Sequence, residues 1–232
     1  STSVDGDKNV AIGRRALKLY EDGDGNGHNT AVGSNSMENA TTGEYNTAVG
    51  SQTASGGVMT GDYNVLMGYN AGHLITSGGY NHLIGAFAGD ALTTGTSNIA
   101  IGYAALGAED TGTRSIAIGE GALQLQNNDA SNYNIAIGHH AGNAVSTGVE
   151  NIIVGGLAGD ALTTGSYNVA IGSNALSTED TGGRNTAVGN RALNTLNYDG
   201  NGYNTAVGFD AGLSVSTGVK NTLIGGLAGD AL

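Results

Sequence analysis

Asn98-Ile99-Ala100-Ile101-Gly102 decides the fold, because its pattern returns from one end of the chain to the other. Copies of this five-residue pattern begin at Asn9, Asn29, Asn46, Asn64, Asn81, Asn98, Ser115, Asn134, Asn151, Asn168, Asn185, Asn204 and Asn221. Most intervals are 17 residues, and the longer ones carry one to three extra residues. A short fixed period indicates a solenoid, in which each repeat buries its apolar face by stacking on its neighbours.

The second to fourth residues of the pattern predict a short strand. Ile99 and Ile101 would point to one side and Ala100 to the other, because side chains alternate along a strand. Both faces are apolar in nearly every copy, which is typical of a strand buried on both sides. One face can line the interior of the coil, and the other needs a second layer from the same coil or from another chain. The sequence therefore predicts an all-β, parallel β-solenoid (β-roll) of about 13 coils, forming a single repetitive domain over residues 1–232.

Glycine and asparagine mark the two ends of the predicted strand. Gly closes all thirteen copies, which predicts a turn with positive φ or a corner without room for a Cβ atom. Asn opens twelve copies, and amides stacked one per coil can form a hydrogen-bonded ladder. Tyrosine often precedes that Asn, as at Tyr45, Tyr63, Tyr80, Tyr133, Tyr167 and Tyr203. Such a column could stack on sugars or a partner, or it could be a ladder between coils that shields a sheet edge.

The segment after the closing Gly has two forms. Four residues after that Gly, some coils have Leu, as at Leu106, whereas others have Gly, as at Gly89. The Gly coils carry an apolar residue three positions later, as at Leu92, which indicates two ways of filling one volume. The pattern fits either a short strand or one helical turn. No carboxylate falls within a five-residue motif, so we expect the charges to lie on turns and outer edges.

Composition and charge exclude several classes of protein. Gly accounts for 42 of 232 residues while Pro and Cys are absent, which argues against both collagen and a disulfide-stabilised domain. The formal net charge of −12 disfavours nucleic-acid binding. No apolar run approaches the roughly 20 residues needed to cross a bilayer, so no membrane insertion is expected in this segment. We expect an extracellular, cell-surface or virion location and a chain that is part of a longer fibrous protein.

One loop has the residues of a calcium site. Asp22, Asp24 and Asn26 follow the D-x-D-x-N-G spacing of calcium loops, although Gly33 stands where an EF-hand has its distal acidic ligand. The competing interpretation is a plain turn with no cofactor. The five histidines occupy unrelated positions, and no spacing suggests a metal site or a nucleophile with its base. The sequence therefore predicts a protein that is not an enzyme.

The repeat is similar to one found in fibrous surface proteins. Asn-Val-Ala-Ile-Gly-Ser-Asn-Ala at 168–175 and Asn-Ile-Ala-Ile-Gly-Tyr-Ala-Ala at 98–105 resemble the head repeats of YadA-like trimeric autotransporter adhesins. Similar repeats occur in bacteriophage tail fibres that end in a self-cleaving chaperone domain. The resemblance covers essentially the whole chain and implies a parallel β-roll that trimerises about a common axis.

These features favour a non-enzymatic fibre. The expected function is a phage tail-fibre shaft or surface adhesin head that positions receptor binding, built as a homotrimer, with a cell-surface receptor or glycan as partner. The alternative is a filament-forming or matrix scaffold that assembles end to end. A carbohydrate-binding module is a third class, and it would need an exposed aromatic stripe.

Overall fold

The computed structural model describes residues 8–20 and 27–231, and it contains thirteen strands of three residues each. The strands are β1 Val10–Ile12, β2 Thr30–Val32, β3 Thr47–Val49, β4 Val65–Met67, β5 His82–Ile84, β6 Ile99–Ile101, β7 Ile116–Ile118, β8 Ile135–Ile137, β9 Ile152–Val154, β10 Val169–Ile171, β11 Thr186–Val188, β12 Thr205–Val207 and β13 Thr222–Ile224.

All strands belong to one parallel sheet whose spatial order is the chain order. Each strand pairs in register with the next, so that Ile99, Ala100 and Ile101 lie opposite Ile116, Ala117 and Ile118. Thirteen strands and the twelve turns between them form a β-solenoid with a basic period of 17 residues. The predicted all-β parallel solenoid is therefore confirmed.

The middle residue of each strand points into the solenoid. From β2 to β12 this residue is at most 1% exposed, as at Ala100, whereas the flanking residues Ile99 and Ile101 are only half-buried. The predicted division into two apolar faces is confirmed. No other segment among residues 8–20 and 27–231 covers the outer face, so the described coils do not supply the second layer.

The closing glycines form a corner that no other residue could occupy without strain. Their φ values lie between +126° and +143°. A Cβ atom on Gly102 would lie 2.5 Å from the carbonyl oxygen of Gly119 in the next coil, far inside van der Waals contact. Both reasons predicted for the glycine, positive φ and lack of room, are confirmed.

The Asn ladder is also confirmed, and it has a second function. The backbone N–H of Asn98 donates to Asn81 Oδ1 at 3.0 Å, which links successive coils. The Asn98 side chain donates through Nδ2 to the carbonyl oxygen of Gly112 at 2.9 Å. Gly112 lies near the end of the same repeat, so Asn98 also closes its own coil, as eight other ladder asparagines do.

The segment after the corner is neither a strand nor a helix. Residues 103–108 form a run of turns in which Ala104 and Leu106 have positive φ, at 51° and 54°. Because neighbouring residues alternate in conformation, the N–H groups point to both neighbouring coils. Ala104 N–H donates to Ala86 O in the preceding coil, and Leu106 N–H donates to Ala122 O in the following coil, both at 3.0 Å.

Candidate functional site

The outer face of the sheet exposes apolar side chains along the described strands. Ile, Val, Thr and Met side chains from the second and fourth positions of the motif form two parallel columns. Ile137, Ile152 and Ile171 remain 37–40% exposed although strands pack on either side of them. Contiguous exposed apolar surface of this kind typically marks an interaction site.

An aromatic column borders this face. The rings of His28, Tyr45, Tyr63 and Tyr80 are stacked on successive coils, with centroids 4.9, 4.9 and 5.1 Å apart. Further along, the Arg184 guanidinium lies between the rings of Tyr167 and Tyr203.

A groove shows that this column adjoins the outer face of the sheet. It is lined by Tyr133, Ile135, Glu150 and Ile152, so the residue before the ladder Asn and the first strand residue share one surface. The four rings thus form an exposed ladder between coils, and stacking of this column on sugars or a partner stays a prediction.

The calcium prediction concerns residues 22, 24 and 26. Asp22, Asp24 and Asn26 lie outside the described residues. The prediction of an ordered calcium ion therefore stays a prediction.

Three carboxylates, those of Glu109, Glu179 and Asp210, are buried, so the expectation that the charges lie on turns and outer edges was wrong. Glu109 is fully buried and accepts hydrogen bonds from Gly112 N (2.7 Å), Gln126 Nε2 (2.9 Å) and Asn132 Nδ2 (3.0 Å). Three donors make a buried carboxylate tolerable, because each replaces a bond to water. Gln126 also donates to Ser115 Oγ at 2.8 Å, in the one coil where Ser replaces the ladder Asn.

Glu179 occupies the same position in a later coil but has weaker partners. Gly182 N–H donates to it at 2.8 Å, and Tyr198 N–H lies 3.3–3.4 Å from its two carboxylate oxygens. Leu196 stands where the earlier coil has its Gln. Burial raises the pKa of Glu179, and the backbone N–H groups of Gly182 and Tyr198 offset part of that rise.

The structure brings together one group of metal-ligating side chains that the sequence analysis missed. Glu120, His139 and His140 each offer a ligand atom, and these atoms lie within 4.8 Å of one another. The two imidazole rings meet edge to face, with centroids 4.2 Å apart. Glu120 and His139 are exposed, and His140 is half-buried.

Stacking in register explains how residues from different repeats come together. Glu120 and His139 each directly follow the closing Gly of their coil, so their side chains lie one above the other. The 19-residue interval hid this relation, because it contains two inserted residues. Numbering from each closing Gly would have revealed the juxtaposition.

Comparisons of the chain with protein-family models, with curated proteins and with solved structures found no match. Within residues 8–20 and 27–231, no helix has the length and apolar character that a bilayer crossing would need. The roles of the outer sheet face, the aromatic column and the Glu120, His139 and His140 cluster therefore follow from the chemistry of their residues.

Proposed function

We propose that this chain is part of a non-enzymatic extracellular or virion fibre, a tail-fibre shaft or adhesin head, in which three parallel copies pack around a common axis and position receptor binding. The observation that carries the proposal is the outer sheet face, which the described chain leaves uncovered. The last residue of every strand on this face is Ile, Val or Met, whereas the first is Thr in five strands and His82 in one. A similar face on each of three copies can meet around a threefold axis, which closes the assembly and hides the surface from water.

The thin interior supports the need for association. The inward strand residue is Ala in most coils, so a single solenoid buries few large side chains at this position. Burial of apolar surface stabilises a protein by about 25 cal/mol per Å². Covering the half-exposed Ile and Val columns would add the burial that the interior lacks.

Lysine substitution on the outer face tests the assembly. We expect the unaltered protein to have a three-chain mass by light scattering, and Ile101→Lys to convert it to single chains, because three charged side chains near the axis would be desolvated. The control is Leu125→Lys, which places the same charge on an exposed apolar residue of the turn segment and should keep the three-chain mass. Circular dichroism should show the same β content in both variants.

Two results would contradict the fibre. A single-chain mass for the unaltered protein would show that the outer face is not an interface. Open-ended polymers instead of a discrete species would favour the alternative, a scaffold whose subunits join end to end.

A further inference from the structure

We propose that Glu120, His139 and His140 form a binding site for a divalent transition-metal ion, best matched by zinc, which links two neighbouring coils. Two imidazoles and one carboxylate are a donor set that zinc prefers in proteins, at about 2.0–2.2 Å from each donor. The three ligand atoms already lie within 4.8 Å of one another. Small rotations of these surface side chains are enough to bring them around one ion.

The coil geometry builds two sides of the site. Glu120 and His139 follow the corner glycines of coils whose strands are paired, so their Cα atoms are separated by about one strand spacing, 4.8 Å. His140 has a φ of 52°, a conformation that favours residues such as Gly, Asn and His. Backbone positions set by the solenoid therefore hold all three residues, rather than a flexible loop.

A missing side chain lets the His140 ring approach the carboxylate. A Cβ atom on Gly121 would lie 2.6 Å from His140 Nδ1, so the ring occupies space that any other residue at 121 would fill. Gly121 directly follows Glu120, which places the ring beside the coil that carries the carboxylate. On the other side, a Cβ atom on Gly156 would meet nothing within 4 Å, which leaves room for the ion and a water ligand.

A neighbouring amide orients the ring. Asn143 Nδ2 lies 3.0 Å from His140 Nδ1, so Nε2 is the nitrogen left to coordinate an ion. Asn143 Nδ2 also donates to Gly121 O at 3.0 Å and to Gln124 Oε1 at 3.1 Å. Ligation through Nε2 places the proton of the neutral ring on Nδ1, so the Asn143 amide has to leave these two acceptors and turn its oxygen toward that proton. A hydrogen bond to the second nitrogen is usual for metal-binding histidines.

Another pair of coils in this chain has the same backbone positions but lacks the three metal ligands. In the coils seventy residues later, Asn190, Phe209 and Asp210 occupy the equivalent positions. There Arg191 Nε donates to Asp210 Oδ1 at 2.8 Å, so an ion pair within the protein links the two coils. We infer that the metal ion makes the corresponding link in the earlier block.

Zinc titration of the metal-free protein tests the site. Calorimetry in millimolar Mg²⁺, which occupies sites made only of carboxylates, should show one zinc ion per chain with a micromolar dissociation constant. The test variants are His139→Ser and His140→Asn, which copy the Ser173-Asn174 pair two coils later and so suit the local backbone. Each should weaken zinc binding at least tenfold, and the double variant should abolish the rise of the melting temperature with zinc concentration.

His82→Ala is the matched control, because it removes an exposed histidine three coils away. It should bind zinc like the unaltered protein. Co²⁺ should give an absorption spectrum of nitrogen and oxygen coordination that disappears in the double variant. Absence of zinc binding, or unchanged affinity in His139→Ser and His140→Asn while circular dichroism shows both folded, would overturn the proposal.

Discussion

Glu109 and Glu179 stand at the same position in coils seventy residues apart, and both are fully buried. Side-chain amides from Gln126 and Asn132 hold the first as an acceptor. The second has only backbone donors, and its carboxyl pKa is raised by burial. The same residue at the same place therefore has different hydrogen-bond donors in the two coils.

Glutamine substitutions made separately at Glu109 and Glu179 should show how these donors affect stability. Glu109→Gln should destabilise the protein by about 1–3 kcal/mol at pH 7, because an amide nitrogen would face two amide donors. For Glu179, the raised pKa means that the folded state binds the proton more tightly than the unfolded chain does. Its stabilising contribution is thus complete below the unfolded pKa of about 4.3 and is lost as the pH rises through the folded value.

The melting temperature of Glu179→Gln relative to the unaltered protein should therefore increase from pH 4 to pH 8. Scanning calorimetry of both variants and the unaltered protein over this range provides the measurement. If the melting temperatures of Glu179→Gln and the unaltered protein differed by the same amount at every pH, the Glu179 carboxyl would ionise in the folded protein as it does in water. Stabilisation by Glu109→Gln would show that the three hydrogen bonds do not offset the cost of burying that charge.

Residues that repeat in every coil were predictable, and residues whose partners lie in other coils were not. The corner Gly and the ladder Asn recur at a regular spacing, which indicated the corner and the ladder. Glu109 looked like a turn carboxylate, because its donors Gln126 and Asn132 lie 17 and 23 residues away along the chain. Glu120 and His139 were missed for the same reason, since inserted residues disturb the period.

At the scale of one coil, a large inward strand residue excludes a side chain four positions after the corner. Every coil with Leu or Ile at the strand centre has Gly at the later position, as with Leu83 and Gly89. A Cβ atom on Gly89 would lie 2.9 Å from Leu83 Cδ2, so both volumes cannot be filled. The sequence indicated that the residues four and seven positions after the corner fill one volume in two ways. The structure shows that the residue at the strand centre also fills this volume.

A double substitution in the coil of β11 tests this exchange. Ala187→Leu alone should destabilise by about 1–3 kcal/mol, because Leu193 already fills the space. Leu193→Gly alone should also destabilise, because it opens a cavity. The double variant should lose less stability than the sum of the two single variants. With Leu at the strand centre, Gly four positions after the corner and Leu196 three positions later, this coil would have the arrangement found in the coil of Leu83. Chemical denaturation of the two single variants and the double variant gives the coupling energy. Additive effects would show that the two positions do not share one space.

At the scale of the whole molecule, contacts between strands join only consecutive strands. Stability in such a stack is a sum of terms for single coils and their interfaces, so damage should remain local. The hydrogen bonds of the Asn ladder and the contacts of the corner glycines likewise join each coil only to its neighbours. The rod therefore has no central core whose loss would unfold every part at once.

Gly102→Ala should consequently open the middle of the rod and leave its distant coils intact. The new methyl group would strike the Gly119 carbonyl, and the positive φ alone costs about 1–3 kcal/mol. Hydrogen exchange followed by mass spectrometry should show lost protection in the coils of β5 to β7 and unchanged protection around β11 and β12. Gly156→Ala is the control, since its methyl group would meet nothing within 4 Å. Uniform loss of protection would instead mean that the interfaces between coils are strong enough to make the solenoid unfold as one cooperative unit.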